Sequence, residues 1–405
     1  MSLNVLHISE SDVGGGAARM AHSLHRGLIE RGHGSRMLVG RRLSDEPEVR
    51  SVKRGPAWRA LDRAIGSPLD AVGLQYALYP SSFAVPRDPW FRGADLVQLH
   101  NLHGSYFSFT ALPRLTTTPR PAVWLLHDQW ALTGHVAYSL DCERWRHGCG
   151  SCPYLDEYPA LPRDTTALLW RLKRRVYARS RLTLVVPSRW LQDVVRDSPL
   201  LGSFDVRLIP HGVDTGRFTP GSREEARRRL GLPVERRIVF FSASDLWERR
   251  KGLELLVRAL RRLDEPPLLL LAGRGDAPEG IESRLLGHVD DDDALADAYR
   301  AADVYAVPTL ADVFTQTAPE AAACGTPSVS FDSGGVADAV RDGETGLHAR
   351  FGASESLAEV LDRLLGDAEL RSRLGAGARA FAERELSARL QLDRYVELYE
   401  ELVAA

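Results

Sequence analysis

Residues 303–338, DVYAVPTLADVFTQTAPEAAACGTPSVSFDSGGVAD, decide the fold class of this chain. An apolar run ends at Pro308, a polar loop carries Asp312, a helix with Glu320 follows, and a second apolar run comes next. This order of strand, loop, helix and strand is typical of an open parallel sheet. The loop and the helix N-terminus then lie at the carboxyl edge of the strand, where such sheets bind ligands and where backbone N–H groups favour anions. Two carboxylates beside an anion site indicate a ligand with both hydroxyl and phosphate groups.

The composition describes a globular protein with no strong electrostatic preference. The chain has 405 residues, of which 44% are hydrophobic and 26% charged, and its formal net charge is -2. Because this length is too great for one ordinary core, two domains of about 200 residues each are expected. The balanced charge gives no bulk argument for nucleic acid or membrane as a partner. No apolar segment approaches the roughly 20 residues that span a bilayer, and the N-terminus has a buried-strand pattern, so a cytoplasmic protein is expected.

Strand and helix patterns alternate along both halves of the chain. Near the N-terminus, the strand 4–8 leads into the glycines 14–16 and a helical pattern at 17–31, the first strand–turn–helix of a nucleotide-binding fold. The glycines lack the GxGxxG spacing, and the second strand leads into Gly40-Arg41-Arg42 where a ribose-binding acidic residue is expected, which argues against a dinucleotide-dependent dehydrogenase. The alternation starts again at residue 238 and predicts an α/β protein with two doubly wound parallel sheets.

A Pro- and Gly-containing segment at 210–214 marks the predicted linker between the two sheets. The first domain is predicted to span residues 1–212 and the second 213–385. The last helical segment is long enough to cross back, so residues 386–405 are expected to complete the first domain.

Two strands of the first half end in histidine and a polar neighbour. The strand 95–99 leads into HNLHG at 100–104, and the strand 122–126 leads into His127 and Asp128. Such positions just past apolar strands are where polar side chains reach a ligand. Any single histidine here could merely cap a strand end, but two strands that end alike favour a site.

Three of the four cysteines, Cys142, Cys149 and Cys152, lie close together in the sequence. They do not make the disulfide framework of a secreted protein of this size. The CxxC spacing is typical of a thiolate knuckle that holds structural zinc, with His135 or His147 as the fourth ligand. A second CxxC is missing, so reduced cysteines in a compact loop remain the alternative interpretation.

Basic residues are concentrated in two places. The helical segment 170–181, WRLKRRVYARSR, could rest on anionic lipid, although a solvated helix face is the more frequent explanation of such a pattern. Arg249, Arg250 and Lys251 lie on a loop after a strand and offer the positive charge that a diphosphate needs.

These motifs together resemble glycosyltransferase family 4. The stretch from Asp312 through TGLHA at 345–349 is similar to the signature of that family, and the Gly-rich turn, IPHGVD at 209–214 and the Lys251-Gly252 loop occur in the same order as in the family. The resemblance covers most of the chain and implies the GT-B fold, in which two Rossmann-like domains face a cleft. The segments LHNLHG, LLHDQWALTG and CERWRHGCGSCP look most like enzymes of bacterial exopolysaccharide and secondary-metabolite glycan biosynthesis.

The resemblance implies a retaining hexosyltransferase that moves a sugar from a UDP- or GDP-sugar to a hydroxyl of a glycan, a lipid-linked acceptor or a small molecule. Glu320 would hold the ribose, and Asp312, where the family usually has Glu, would contact the sugar hydroxyls. Lys251 would pair with the diphosphate, and Arg249 would replace the arginine that the family has a few residues earlier. The remaining donor-binding positions that the resemblance implies are Gly15, Gly16, Thr315, Gln316 and Thr317.

On the acceptor side, His127 matches the active-site histidine of the family, near the anomeric carbon and a sugar hydroxyl. The acceptor-side positions that accompany it are Asn101, His103, Tyr106 and Asp128. Together with Lys251 and Asp312, His127 would form the catalytic set. No metal is expected in the transfer itself, because these groups and the backbone would neutralise the phosphates.

Two alternatives share the expected donor site. A GT-B nucleotide-sugar epimerase would keep it but lack an acceptor groove, against which the acceptor-side residues argue. A nonenzymatic nucleotide-sugar binding protein would keep Glu320 and Lys251 for binding alone, against which an intact His127 argues.

Overall fold

The structure is a computed structural model that describes residues 2–53 and 55–405. The chain forms two compact units, each built around one parallel sheet. The first unit ends at Ile209 and regains Leu392–Ala405, and the second unit is Pro210–Gln391.

The first unit contains a seven-stranded sheet in the order β3-β2-β1-β4-β5-β6-β7, and every neighbouring pair of strands is parallel. Its elements are β1 (Asn4–Ser11), α1 (Gly15–Glu30), β2 (Gly34–Arg41), β3 (Val49–Ser51), α2 (Pro56–Ala71), α3 (Pro89–Arg92), β4 (Leu96–Leu99), α4 (Leu112–Thr116), β5 (Ala122–Leu125), α5 (Thr166–Tyr177), β6 (Thr183–Val186), α6 (Arg189–Arg196) and β7 (Asp205–Leu208).

The second unit contains a six-stranded parallel sheet in the order β10-β9-β8-β11-β12-β13. Its elements are α7 (Arg223–Arg229), β8 (Ile238–Asp245), α8 (Leu253–Leu260), β9 (Leu268–Arg274), β10 (Ser283–Leu285), α9 (Asp292–Ala301), β11 (Val304–Val307), α10 (Thr317–Ala323), β12 (Ser328–Phe331), α11 (Val336–Ala339), β13 (Gly346–Ala349), α12 (Ser354–Gly366) and α13 (Ala368–Glu385). The last helix of the chain is α14 (Ala388–Ala404).

The central strands are largely apolar and buried because helices cover both faces of each sheet. In β8, Ile238 and Phe240 belong to one hydrophobic cluster, whereas Val239 and Phe241 belong to another. Successive side chains of a strand point to opposite faces, so the two clusters are the two layers of core on either side of the second sheet. The alternation of strands and helices in the sequence therefore predicted the α/β class correctly.

The linker pairs with the segment before α14. The Val213 N–H donates to the Leu386 carbonyl at 2.7 Å, and the Ala388 N–H donates to the Val213 carbonyl at 2.8 Å. A Cβ on Gly212 would stand 2.6 Å from the Ala388 Cα, so the two segments need glycine at this position to approach closely. These contacts place residues 210–212 and 386–391 with the second unit, whereas the predicted domain boundaries placed them with the first.

The later part of α14 packs on the first unit. Tyr395, Leu398 and Tyr399 belong to the same hydrophobic cluster as Leu3 and other residues of the first sheet. The Tyr399 hydroxyl donates to Gln98 Oε1 at 2.8 Å, across 301 residues of sequence. The end of the chain is thus part of the core of the first unit.

Candidate functional site

In the second unit, Asp312 lies between two basic side chains on the loop that follows β11. Its Oδ2 accepts a hydrogen bond from Lys251 Nζ at 2.8 Å and one from Arg250 Nη1 at 3.2 Å. Burial by itself would raise the pKa of Asp312, but the charges of Lys251 and Arg250 hold it below its ordinary value. We call Asp312, Lys251 and Arg250 the Asp312 cluster.

The turn Arg249–Lys251 is held against the loop after β11. The Leu310 N–H donates to the Arg250 carbonyl at 2.7 Å. Gly252, which follows the turn, has φ 76°, and a Cβ there would stand 2.0 Å from the Pro308 carbonyl oxygen. Only glycine allows this approach, which is why the Lys251-Gly252 pair brings the ammonium group to Asp312.

The guanidinium that reaches Asp312 is that of Arg250, whereas the Arg249 side chain is exposed. Arg250 also pairs with Glu248 at 2.6 Å. The sequence-based choice of Arg249 as the substitute arginine at the diphosphate stays a prediction, because the Arg250 contact is with Asp312. Three adjacent basic residues were visible in the sequence, but the 3₁₀ turn that selects one of them was not.

Glu320 is 7% exposed and lies in the first turn of α10. The Tyr299 hydroxyl of α9 donates to Glu320 Oε2 at 2.7 Å. Burial raises the pKa of Tyr299, and the negative charge of Glu320 raises it further, so Tyr299 stays a neutral donor. Tyr299 was not predicted as a site residue, because a tyrosine on a helix is ordinarily a core residue.

The three predicted positions before and at the start of α10 lie as follows. Thr315 is buried and its Oγ1 is 2.9 Å from Thr317 Oγ1. Gln316 is the residue that precedes the helix, and Thr317 is its first residue. The structure thus brings these positions to the start of the helix that carries Glu320, as the sequence pattern predicted.

In the first unit, His100 and His127 follow the neighbouring strands β4 and β5, and both are buried. His127 Nε2 is 3.1 Å from His100 Nδ1, and His100 Nε2 is 3.1 Å from Nδ1 of His7, which lies inside β1. We call these three residues the imidazole row. Burial lowers the pKa of His127 to about 4, although the Asp128 charge opposes the shift. His7 was missed, because a histidine in the apolar strand NVLHIS is more often a core residue than part of a site.

Asp128 and His103 form an ion-paired or hydrogen-bonded couple beside this row. His103 Nε2 is 2.7 Å from Asp128 Oδ2, and the Trp130 N–H donates to Asp128 Oδ1 at 2.8 Å. Burial would raise the pKa of Asp128, but His103 lowers it below the ordinary value. The Tyr158 hydroxyl is 3.3 Å from His103 Nδ1, so both ring nitrogens of His103 have neighbours.

Tyr106 and Asn101 belong to the loop after β4. The Tyr106 ring is 3% exposed, and its hydroxyl donates to the Asn101 carbonyl at 2.5 Å. Tyr106 thereby holds the backbone of the loop that carries His103. Its contact is with the loop, so it supports the acceptor-side residues from behind.

The Gly-rich turn between β1 and α1 takes up backbone conformations that favour glycine. Gly14 has φ 88° and Gly15 φ 70°, and a Cβ at either position would have no heavy atom within 4 Å. The glycines are therefore required by their backbone angles and not by crowding. Gly16 follows as the second residue of α1.

The structure corrects the predicted zinc site. Cys142, Cys149, Cys152 and His135 line one cavity of about 20 Å³, and His147 is not among its lining residues. Throughout residues 2–53 and 55–405, no group of three or more histidine, cysteine, aspartate or glutamate side chains is arranged to hold a metal ion.

The thiols instead have local contacts. Cys149 Sγ accepts from the Gly134 N–H at 3.2 Å, and Cys152 Sγ is 3.4 Å from His135 Nε2. Burial raises the pKa of the Cys149 thiol to about 11. The three residues are free cysteines in a compact loop, which is the alternative that the sequence left open.

The basic helix predicted at 170–181 is α5, Thr166–Tyr177. Its Lys173 is 1% exposed and donates to the carbonyls of Trp130, at 2.5 Å, and Thr133, at 3.0 Å. Burial lowers the pKa of Lys173 to about 7. Lys173 thus supports the loop after Asp128 from inside the protein, whereas the arginines of the helix and Leu168 face solvent. Among the helices of the described residues, none is both long and apolar enough to cross a membrane.

Comparison with solved structures identifies the fold of this protein. The sucrose-phosphate synthase of Thermosynechococcus elongatus has a TM-score of 0.72 over 99% of both chains at 21% identity. Anabaena HepE, in complex with UDP, has a TM-score of 0.70 over 98% of this chain and 100% of its own at 16% identity. With its two parallel-sheet α/β domains, the chain has the GT-B fold of glycosyltransferases.

The family follows from the sequence relatives. Residues 14–217 match the model of Glycosyltransferase Family 4, and residues 222–381 match that of glycosyl transferases group 1. A D-inositol 3-phosphate glycosyltransferase of Xylanimonas cellulosilytica is 32% identical over an alignment of 346 residues, and the match covers 77% of this chain and 81% of the relative. The chain belongs to glycosyltransferase family 4 and is a glycosyltransferase, which confirms the resemblance seen in its sequence.

Proposed function

We propose that this glycosyltransferase moves a hexose, with retention of configuration, from a UDP- or GDP-sugar to a hydroxyl of a glycan, a lipid-linked acceptor or a small molecule. The observation that carries the proposal is the Asp312 cluster, in which an ammonium group and a carboxylate are held together at the end of β11. The second unit is the donor side in this proposal, and the first unit is the acceptor side.

Lys251 is the proposed partner of the diphosphate. An ammonium group has three N–H donors, and Lys251 gives one of them to Asp312 at 2.8 Å. That hydrogen bond, together with the turn before Gly252, holds the ammonium group in place before substrate binds. A preorganised cation stabilises the charge that develops on the departing diphosphate more than it stabilises the bound donor.

Glu320 is the proposed partner of the ribose hydroxyls. Its carboxylate can accept several hydrogen bonds, and Tyr299 gives it one at Oε2. This contact fixes the side chain in one orientation inside a buried setting. The proposed sugar contacts are Asp312 and the backbone of Thr315, Gln316 and Thr317, with Gly15, Gly16 and Arg249 near the phosphates.

In the proposed reaction the acceptor oxygen bonds to the anomeric carbon on the face from which the diphosphate leaves. The bond between that carbon and the phosphate oxygen breaks, and the acceptor proton goes to the leaving diphosphate. This chain contributes Lys251 and Arg250 as cations near the leaving group. His127, with Asp128, His103 and Asn101 on the acceptor side, is proposed to contact substrate hydroxyls. Metal ions have no proposed part in this transfer.

The acceptor is open to direct test. The sequence relatives are named for D-inositol 3-phosphate, so this compound is the first acceptor to try, followed by simple hexosides and lipid-linked sugars. A cytoplasmic location and a contact of the α5 arginines with the inner membrane face are part of the same proposal. The exposed arginines of α5 support the contact, although the buried Lys173 takes no part in it.

The experiment is a matrix of nucleotide sugars and acceptors with product detection by mass spectrometry. We expect a transferred hexose with one donor base and an anomeric configuration equal to that of the donor. Inverted product would refute retention. Epimerised donor without acceptor would favour the epimerase alternative, and tight nucleotide binding with no turnover on any acceptor would favour the binding-protein alternative.

A further inference from the structure

The imidazole row joins three neighbouring strands of the first sheet through two hydrogen bonds. His7 lies in β1, His100 follows β4 and His127 follows β5, and the sheet order places these strands side by side. The nitrogen–nitrogen distance is 3.1 Å in both links. His7 and His100 are 0% exposed and His127 is 9% exposed.

Each link of such a row needs one donor and one acceptor. Burial lowers the pKa of both His7 and His127, so at neutral pH these rings are neutral and each carries a single N–H. In a row of neutral imidazoles all N–H groups therefore point in the same direction along the row. The protonated nitrogen at one end determines the protonated nitrogen at the other end.

The His7 end of the row decides the direction. His7 Nε2 is buried and has no hydrogen-bond partner. The neighbouring His25 ring lies at 79° to the His7 ring, with the two centroids 6.0 Å apart, and His25 Nδ1 is 2.7 Å from Ser35 Oγ. A buried N–H without a partner is rarer in proteins than an acceptor without one, so the His7 proton belongs on Nδ1. His7 then donates to His100 Nε2, and His100 donates from Nδ1 to His127 Nε2.

From this geometry we propose that His7 and His100 are positioning residues that hold His127 as a neutral ring with its proton on Nδ1. The lone pair of His127 Nε2 is engaged by His100, so His127 offers substrate an N–H donor. It does not act as the base that removes the acceptor proton. This assignment adds to the proposed function. The hydrogen bond from His127 to substrate rests on that function, whereas the tautomer of His127 does not depend on it.

Two ionisable side chains, Asp128 and His103, influence the protonation of His127. Asp128 is adjacent in sequence and favours a protonated ring, whereas His103 opposes it. His100 faces it from the end of β4. Because Asp128 is engaged by His103 and by the Trp130 N–H, its charge is partly compensated, and the buried ring can stay neutral.

The tautomer can be measured without substrate. The full chain is labelled with ¹⁵N-histidine, and the His127 signals are assigned as those lost in His127→Gln. We expect Nδ1 of His127 to be the protonated nitrogen and Nε2 to be the unprotonated one at pH 7. A proton on Nε2, or on both nitrogens, would overturn the proposal and leave the transferase assignment untouched.

A matched pair of variants tests the direction of the row. In His100→Asn, a carboxamide N–H can take the place of Nδ1 and still donate to His127. The Asp side chain in His100→Asp has the same size as that of Asn but can only accept hydrogen bonds. A carboxylate next to His127 also favours the protonated His127 ring. We expect His100→Asn to keep the His127 tautomer and the shape of the pH profile of turnover.

For His100→Asp we expect the His127 ionisation to enter the neutral pH range and turnover at pH 7 to fall about tenfold relative to His100→Asn. Equal pH profiles and equal His127 spectra in the two variants would contradict the proposal. If His100→Asp does not fold, the wild-type spectrum and His100→Asn still decide. Absence of transfer in every protein would refute the proposed function while the spectra continue to report the tautomer.

Discussion

In the second unit Asp312 is ionised between Lys251 and Arg250, whereas in the first unit His7, His100 and His127 form a neutral row. Both groups lie on parallel sheets whose strands end in polar residues, and both are largely buried. The difference lies in the partners. Asp312 has two cations within 3.2 Å, so its charge persists despite burial, but the row contains only rings of one kind, so burial removes the charge.

The Asp312 cluster and the imidazole row have different electrostatic roles in the proposed reaction. The Asp312 cluster supplies a fixed charge that can oppose the charge of a diphosphate, and the imidazole row supplies oriented, uncharged hydrogen-bond donors. The buried charge of Asp312 is balanced by cations on a neighbouring turn, whereas the neutral imidazole row requires only that its three strands lie side by side. Each group can be altered separately, because the two belong to different units.

The largest expected effect is on turnover, after a change in the Asp312 cluster. Lys251→Ala removes the ammonium group and should lower kcat about 100-fold or more, as expected for the loss of one preorganised partner of a developing anion. Steady-state kinetics with the identified donor measure it. Arg258→Ala, at an exposed position on α8, is the matched control and should behave like the wild type. A Lys251→Ala enzyme with full turnover would remove the Asp312 cluster from the proposed chemistry.

The second largest effect concerns the imidazole row and is an effect on the stability of the protein. The folded-state pKa of His127 is about 4, below the unfolded value of about 6.5, so the unfolded chain takes up the proton first as pH falls. The free energy of unfolding should therefore decrease between pH 7 and pH 5, by about 2 kcal/mol from His127 alone. Denaturant titrations of wild type and His127→Asn at both pH values measure the contribution of His127 to this decrease, because the variant lacks that contribution.

An exposed histidine serves as the reference for this pH effect. His288 is well exposed, and His288→Asn should retain the wild-type decrease between pH 7 and pH 5. Parallel stability curves for wild type and His127→Asn would mean that His127 is not buried in its neutral form.

The smallest expected effect concerns the contact between Tyr299 and Glu320. Tyr299→Phe removes the hydroxyl that orients Glu320 and should weaken nucleotide binding about fivefold, equivalent to about 1 kcal/mol for one hydrogen bond. Isothermal titration with UDP and GDP measures the change. Tyr395→Phe removes a buried hydroxyl that has no hydrogen-bond partner and should leave binding unchanged. Equal affinity in both variants would show that Glu320 does not need Tyr299.

Several site residues were visible in the sequence because a local signal marked them. Asp312 and Glu320 stood out as carboxylates on a loop and helix after an apolar strand, and His127 stood out as a polar residue directly after one. The residues that the sequence left unmarked act through contacts between distant segments. Tyr299 depends on the packing of α9 against α10, and His7 depends on the pairing of β1 with β4.

The zinc hypothesis shows the limit of spacing arguments. The CxxC spacing around Cys149 predicted a zinc knuckle, with a compact loop of reduced cysteines as the alternative. His147, which was chosen as the fourth ligand, is not among the residues that line the cavity of the cysteines. Sequence distance does not determine which of two histidines faces a given cavity. The same limit applies to Lys173, whose place in a basic helix suggested exposure, although its side chain is buried against the Trp130 loop.

By itself, the sequence determined the α/β class, the two parallel sheets and the family, and it marked Asp312 and Glu320 as candidate donor contacts. These follow from local periodicity, from apolar runs that strands need, and from short motifs in a particular order. Only the tertiary structure decided which basic side chain reaches Asp312, that three histidines meet across neighbouring strands, and that the cysteines are thiols in a loop. The physical reason is that charge, tautomer and thiol ionisation depend on burial and on partners brought together from distant parts of the chain.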